Sequence, residues 1–336
     1  MKSIPFTEND IRPMNLEKEC ELCVAIDVGR LLTKRKFFLD VMCPACSSNK
    51  STYLFQKNLF EYVICNDCKT MYVNPRPPKK VLEWFYKGSK TYEYWNKYIF
   101  PSSEQSRKEK IFVPRVDKIL ELSRKYLSNP DSVLEVGCGF GTFCEELISR
   151  KKFKRVVGVE TTPDLAQTCR LKGIEVIEQP IETVVLDRDE KFDIIASYEV
   201  IEHLFSPNEF LNKLFGCIKK GGLLILSCPN GNGFDINMLG PLSGSVDHEH
   251  LNYFNPDSLS LLLKKCGFNP LEVYTPGVLD AELVRNKILS NEFNISNNPF
   301  LQNVLIDKWD ELGVEFQSFL SRNRLSSHMM VVAQKV

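Results

Sequence analysis

Val133-Leu134-Glu135-Val136-Gly137-Cys138-Gly139-Phe140-Gly141-Thr142-Phe143 is the stretch on which the reading of this chain turns. Val133 to Val136 is a short, mostly apolar run of the kind that forms a buried strand. Three glycines then alternate with side chains, and from Thr142 the spacing becomes helical. A strand that breaks into a glycine-rich turn and feeds a helix is a ligand-binding device. Without Cβ atoms the backbone bends tightly and lets a ligand lie against it. In open α/β sheets such a turn sits at the carboxyl edge, where ligands bind. The spacing is G-x-G-x-G, and Thr142 stands where the third glycine of a dinucleotide fingerprint would fall. Glu135 precedes the turn. Glu160 closes the next apolar run, Val156-Val157-Gly158-Val159, where a carboxylate can accept both hydroxyls of a ribose.

The segment resembles the cofactor motif of class I S-adenosylmethionine (SAM) methyltransferases, E/D-x-G-x-G-x-G with an acid ending the second strand. The resemblance extends over roughly Asp131 to Lys335. It implies an α/β fold: a Rossmann-like seven-stranded SAM methyltransferase sheet whose last strand inserts antiparallel. It makes Glu135, Gly137, Gly139, Gly141 and Glu160 the expected cofactor contacts, and places Tyr198 and Glu199 at the methyl-donor end. The pattern itself alternates strands and helices, which argues a parallel sheet. Strands are expected at 133–136, 155–159, 174–177, 193–197, 223–227, 271–274 and 329–333. Ser206-Pro207-Asn208-Glu209 reads as a capping box opening a helix that ends at Lys219-Lys220-Gly221-Gly222, and Asn255-Pro256 opens another. Residues 279–325 are helical in pattern and too long for a simple connection, so they read as an inserted lid or dimer arm.

Upstream, Cys43-Pro44-Ala45-Cys46 and Cys65-Asn66-Asp67-Cys68 are two C-x-x-C knuckles separated by 18 residues. That spacing matches a zinc ribbon, in which two turns supply four thiolates to one tetrahedral ion. Four protein ligands leave no open position, so the ion would be structural. Cys20 and Cys23 form another C-x-x-C inside a helix expected from about Asn15 to Lys36, with no partner pair nearby. Asn74-Pro75-Arg76-Pro77-Pro78 is a stiff linker. Tyr92-Glu93-Tyr94-Trp95-Asn96-Lys97-Tyr98 carries four aromatics. In sugar and small-molecule methyltransferases of this layout a tyrosine-bearing segment before the first strand lines the cofactor and substrate, so the resemblance makes Tyr92 and Tyr94 candidates for that wall; interdomain core is the other reading. Arg107 to Tyr126 has helical period. The expected organisation is an N-terminal helical segment (1–40), a zinc-ribbon module (41–78), a helical linker covering the cofactor site (79–130) and a methyltransferase domain (131–336).

Two clusters follow strands four and five, where an acceptor's proton would have to be removed. Ser197-Tyr198-Glu199-Val200-Ile201-Glu202-His203-Leu204 offers His203 as base or substrate contact. Asp247-His248-Glu249-His250-Leu251-Asn252-Tyr253-Phe254 holds two of the four histidines in the chain. It resembles the Y-x-E-H segment of deoxysugar C-methyltransferases, with Glu249 and His250 as the Glu-His pair and Asp247 in place of the tyrosine. That departure leaves O-methylation open. The expected activity is methyl transfer to a small molecule, most simply a sugar or nucleotide-sugar. An RNA methyltransferase with an N-terminal cysteine module is the alternative, and a SAM-binding module without turnover is a third reading. Net charge is zero, which gives no broad attraction to nucleic acid or anionic membrane. No apolar run approaches the length of a membrane span. Twelve cysteines, many in apolar contexts, suit a reducing cytoplasm, and either a monomer or a homodimer fits.

Overall fold

The computed structural model describes residues 7–11, 13–187 and 190–336. In chain order its strands are β1 (Ser51–Lys57), β2 (Phe60–Cys65), β3 (Met71–Val73), β4 (Ser132–Val136), β5 (Arg155–Val159), β6 (Glu175–Ile177), β7 (Phe192–Tyr198), β8 (Ile218–Pro229), β9 (Asn252–Tyr253), β10 (Phe268–Tyr274) and β11 (His328–Lys335). Seven of them form one mixed sheet in the order β10-β11-β8-β7-β4-β5-β6. Strands β4 to β8 run parallel, and β11 lies antiparallel between β8 and β10. This is the expected Rossmann-like methyltransferase sheet.

A parallel sheet covered on both faces needs near-continuous apolar strands. Every residue of β4 is buried. Alternate residues serve opposite layers. Leu134, Val136 and Ile195 pack with Phe210, Leu214, Leu259 and Leu262. Val133, Ile194 and Ala196 pack with Val116, Ile119, Phe143 and Leu147. The 279–325 insertion builds a core of its own, with Val284, Leu301, Leu305 and Leu320 around Leu239. No helix among the described residues is long and apolar enough to cross a membrane.

Four local expectations need correction. The N-terminal helix runs Met14–Leu32 and stops short of Lys36. The Arg107–Tyr126 helix is the end of a longer helical run beginning at Lys90, widened into π turns at Trp95–Ile99 and Lys108–Phe112. Pro101 and Pro114 lie just beyond those turns, and a proline removes a helical N–H and crowds the preceding turn. Helix Pro207–Cys217 forms without a side-chain cap from Ser206, whose ψ of 84° departs from the extended ψ of 169° that lets Asn255 cap Pro256–Lys265. Lys219 to Gly222 belong to β8, where Gly221 takes φ of +74° beside a register shift against β7.

The helical run over the sheet is anchored by one buried acid. Asp27 is fully buried on the N-terminal helix. Its carboxylate accepts from Ser89 Oγ at 2.6 Å, Lys90 N at 3.0 Å, Thr91 N at 2.8 Å and Arg30 Nη1 at 2.9 Å. Burial opposes ionisation, but these donors hold its pKa below the ordinary value. The stabilisation is therefore present above the unfolded pKa of about 3.9 and is lost as pH falls through the lower folded value. Asp27→Ala should cost about 2–4 kcal/mol in urea unfolding, because it orphans buried donors. It should also release the amides of Lys90 and Thr91 in hydrogen exchange. Unchanged protection at those amides would mean the clamp does not hold the segment.

Candidate active site

Above the carboxyl edge of β4, β5, β7 and β8 lies a cavity of about 2440 Å³. An ordinary small-molecule pocket measures roughly 300–1,000 Å³. The cavity therefore has room for two reactants side by side.

Its floor on one side is the glycine loop. Gly137 N and Cys138 N both donate to Val159 O, at 2.9 and 3.1 Å, so β4 ends by bending over β5. All three glycines have positive φ. A Cβ on Gly137 would lie 2.5 Å from Val200 Cγ2, and one on Gly141 would lie 2.6 Å from Ile174 Cδ1 and 2.8 Å from Cys169 Sγ. A Cβ on Gly139 would meet nothing within 4 Å. Gly139 is thus the bare main chain facing the cavity, while its two neighbours are needed by packing. Glu160 stands over the loop. Its Oε2 accepts from Gly139 N at 2.9 Å and its Oε1 from Thr162 N at 2.8 Å. Both oxygens are aimed and keep a lone pair each. The helical run closes the outer side, with Phe100 stacked on Phe140 at 4.5 Å. Tyr92 lines the cavity, whereas Tyr94 turns its hydroxyl to Glu19 on the N-terminal helix.

Glu135 is buried below the loop and accepts from Cys144 Sγ at 3.1 Å. Burial pushes its pKa up to about 8, with the thiol and the Arg115 guanidinium opposing. At neutral pH it is mostly a neutral acid. Tyr198 is packed edge-on to Phe143 at 5.1 Å, and its hydroxyl has no partner. Glu199 has φ of +56°, a strained conformation for a side chain that long. The turn aims its carboxylate into a charged group: Ser227 Oγ donates to it, Arg115 Nη2 lies 3.6 Å away and His328 Nδ1 3.5 Å away. Burial opposes the charge on Glu199, and His328, Arg115 and Ser227 outweigh it, so its pKa is lowered.

The second cluster closes on the first. The rings of His203 and His250 lie 4.7 Å apart. Burial, with His250 adding to it, drives His203 down to about 3, so it is neutral. Its Nδ1 faces Tyr86 Oη at 3.3 Å. Glu202 beneath it is fully buried with neither carboxylate oxygen hydrogen-bonded. Burial, reinforced by Glu199, holds its pKa well above the ordinary value, and the protonated form explains a buried acid without a counter-charge. His250 Nδ1 lies 3.0 Å from Ser245 O and 3.3 Å from Asp247 Oδ2. The carboxylate beside His250 is thus Asp247, which stands at the departing position. Glu249 turns to His248, 3.7 Å away, and burial raises its pKa well above the ordinary value. His248 is buried against Phe85 with both ring nitrogens unpartnered.

Two contributors were not visible in the sequence, and a third was overlooked. Arg115, whose guanidinium lies 4.4 Å from the Tyr198 ring centroid, sits in an ordinary amphipathic helix, and Tyr86 closes a short one. His328 did leave a signal. It precedes the strand expected to run antiparallel, and the first residue of such a strand lies at the carboxyl edge of its parallel neighbours. Here it pairs with Pro229 at the end of β8.

The glycines invite a comparison. Gly141→Ala combines a left-handed backbone costing about 1–2 kcal/mol with overpacking of about 1–3 kcal/mol. Gly139→Ala carries only the first term. Urea unfolding should rank the Gly141 variant clearly less stable, and equal midpoints would show that the loop yields.

A family described as "Methyltransferase domain" matches residues 105–273, half of the chain. A ubiquinone biosynthesis O-methyltransferase of Ruegeria sp. (strain TM1040) is 27% identical over 154 residues, covering 42% of this chain and 61% of that protein. The mitochondrial ubiquinone biosynthesis O-methyltransferase of Dictyostelium discoideum is 31% identical over 114 residues, covering 30% of this chain and 35% of that one. The chain thus spans less than two thirds of the length of either relative. A solved SAM-dependent methyltransferase from Archaeoglobus fulgidus is 20% identical, with a TM-score of 0.46, and covers 71% of this chain and 100% of that one. Half of its length matches the methyltransferase family and its sheet has the order that the glycine motif implied, so this chain belongs to the SAM-dependent methyltransferases.

Proposed function

We propose that the enzyme methylates a hydroxyl of a small-molecule acceptor, with His250 as the base. The observation that carries this reading is the setting of one imidazole. A carbonyl only accepts, so the 3.0 Å contact with Ser245 O puts the ring proton on Nδ1. Nε2 is left as the proton acceptor on a ring that lines the cavity. SAM, when bound, supplies an electrophilic methyl carbon. The protein has to align the acceptor and take its proton. His250 Nε2 would take the hydroxyl proton, and Asp247 would balance the imidazolium. His203, neutral and packed against the same ring, would orient the acceptor. Gly139 and Glu160 fit the nucleoside: the first leaves open space, and the second presents two aimed oxygens for ribose hydroxyls. Glu135, Gly137 and Gly141 would shape that half, and Tyr198 and Glu199 its methyl end.

The names of the relatives support a hydroxyl on a small molecule. A carbohydrate acceptor rests on the Glu249-His250 resemblance, and the turn of Glu249 toward His248 weakens it.

We further infer that residues 41–78 hold a structural zinc ion. Cys43 and Cys68 have their sulfurs 3.4 Å apart, as do Cys46 and Cys65, and all four lie within 4.8 Å of one another. A tetrahedron with Zn–S near 2.3 Å has edges of about 3.8 Å. Thiols alone at these distances would be a costly way to fill a small hairpin module.

Three measurements test the reading. His250→Ala should keep its affinity for S-adenosylhomocysteine and lose about 10²–10⁴-fold in turnover across a panel of hydroxylated acceptors. Parental turnover in that variant removes the assignment. Glu160→Ala should weaken S-adenosylhomocysteine by about 10- to 100-fold in calorimetry, as expected for lost hydrogen bonds to a charged group. Elemental analysis should find one zinc per chain, abolished in Cys43→Ser with Cys65→Ser.

A further inference from the structure

The four-cysteine module is built into the active site, and one buried cation stands between them. Ribbon strands β1, β2 and β3 continue into β9, so the small sheet has the order β1-β2-β3-β9. Tyr72 pairs with Asn252 and Met71 with Tyr253, and Val73 N donates to Leu251 O at 3.0 Å. Strand β9 begins two residues after His250. The helix that follows it is tied to both knuckles. Asn255 Nδ2 donates to Cys68 O at 3.0 Å, and Lys265 Nζ donates to Cys46 O at 2.7 Å. Tyr62 Oη donates to Asp247 O at 2.6 Å.

Arg76 lies at the centre of this junction, 3% exposed. Its main chain pairs with Leu39 on the segment that leads into the first knuckle. Its Nη1 donates to Asn252 Oδ1 at 2.7 Å, and its guanidinium lies 5.2 Å from the Phe205 ring centroid. Neither partner is a carboxylate. Asn252 is fully buried and passes the contact on. Its Nδ2 donates to Leu204 O at 2.8 Å, Glu202 O at 3.2 Å and Ile201 O at 3.3 Å, which are the carbonyls of the turn that carries His203. Leu251 N donates to Glu202 O at 2.8 Å. A buried guanidinium without an anion is costly. A tetrathiolate zinc centre carries two net negative charges. The chain beside Arg76 is tied to the approach to the first knuckle, where Asn74 Oδ1 accepts from Val41 N at 2.8 Å, two residues before Cys43. Burial lowers the Arg76 pKa to about 10, with Tyr72 and Cys43 opposing.

We propose that Arg76 is a positioning residue that couples the metal-loaded ribbon to His203 and His250 through Asn252. This rests on the zinc reading above. With the ion in place the guanidinium has a counter-charge and holds the Asn252 amide, which fixes the two histidine-bearing segments relative to each other. Without the ion it is an uncompensated buried charge, and the junction loosens.

The test uses the full zinc-loaded chain with isotope-labelled histidines, whose four ring signals are assigned by single substitutions. Chelation of zinc from the parent should shift the signals of His203 and His250 and leave that of His328, which is held by β11 against β8. Arg76→Met should give the same pattern with zinc content and S-adenosylhomocysteine affinity retained, and turnover lowered about 10- to 100-fold. Should Arg76→Met fail to fold, Arg76→Lys, which lacks the planar fork, is read in the same way. Uniform movement of all four signals, or of none, overturns the coupling. A chain that purifies without zinc overturns the metal reading, and the coupling with it. A zinc-loaded chain whose histidines ignore zinc withdrawal overturns the coupling alone.

Discussion

The carbonyl of Val159 takes both N–H groups with which β4 ends. This shared acceptor turns the central strand across its neighbour and forces the next residues into left-handed conformations that only glycine adopts without strain. Gly137 and Gly141 answer to that turn and to the packing beneath it. Gly139, between them, is left with open space and an N–H that meets Glu160. The bare floor of the cavity is therefore a consequence of how β4 closes, and Glu160 sits opposite it because β5 ends one residue before it. The rest of the site is arranged around the position that this floor sets.

That position also decides how the acids are sorted. Besides Glu160, five carboxyl groups crowd the edge of the sheet, and they cannot all be ionised where burial is so complete. The sorting follows partners. Asp247 accepts from the N–H groups of Glu249 and His250 at 2.9 Å each and faces three imidazoles, and these together outweigh the burial that opposes its charge. Glu199 has Ser227, Arg115 and His328. Glu135, Glu202 and Glu249 lack such company and are raised by burial. Charge thus collects at two points: beside His250, and at Glu199. Acids whose environments push them apart in this way mark the working parts of a site.

The sheet was legible because its signals are local. A buried parallel strand announces itself as an apolar run, and a glycine trio as a turn, so β5 was read to the residue and the antiparallel β11 to within two. The knuckles were legible for the same reason. What escaped was long-range. A two-residue strand such as β9 has no period to detect, and its partner β3 lies far away in the chain. The pairing of Asp247, not Glu249, with His250 depends on Asp247 folding back on the next two N–H groups, which residue types do not disclose. Arg115 enters through a helix whose pattern is fully explained by its apolar face. His328 is accessible in principle, from the direction of the last strand.

The chemistry-bearing loop explains why a ribbon should be attached at all. Between Ser243 and Leu251 the chain is irregular, and a loop of that kind fixes its side chains only as well as its surroundings fix its carbonyls and N–H groups. Local contacts settle part of this: Asp247 organises its own turn, and Tyr253 Oη accepts from Asp247 N at 3.1 Å and donates to Ser245 O at 3.2 Å. Ser245 O is the same carbonyl that sets the tautomer of His250, so the ring depends on where Tyr253 stands. Tyr253 is in turn a strand residue of the ribbon sheet, packed edge-on to Tyr62. The proton on the His250 ring is therefore placed by a hydroxyl whose backbone belongs to the small sheet. A methyltransferase domain cut at residue 131 would keep its floor and lose that support.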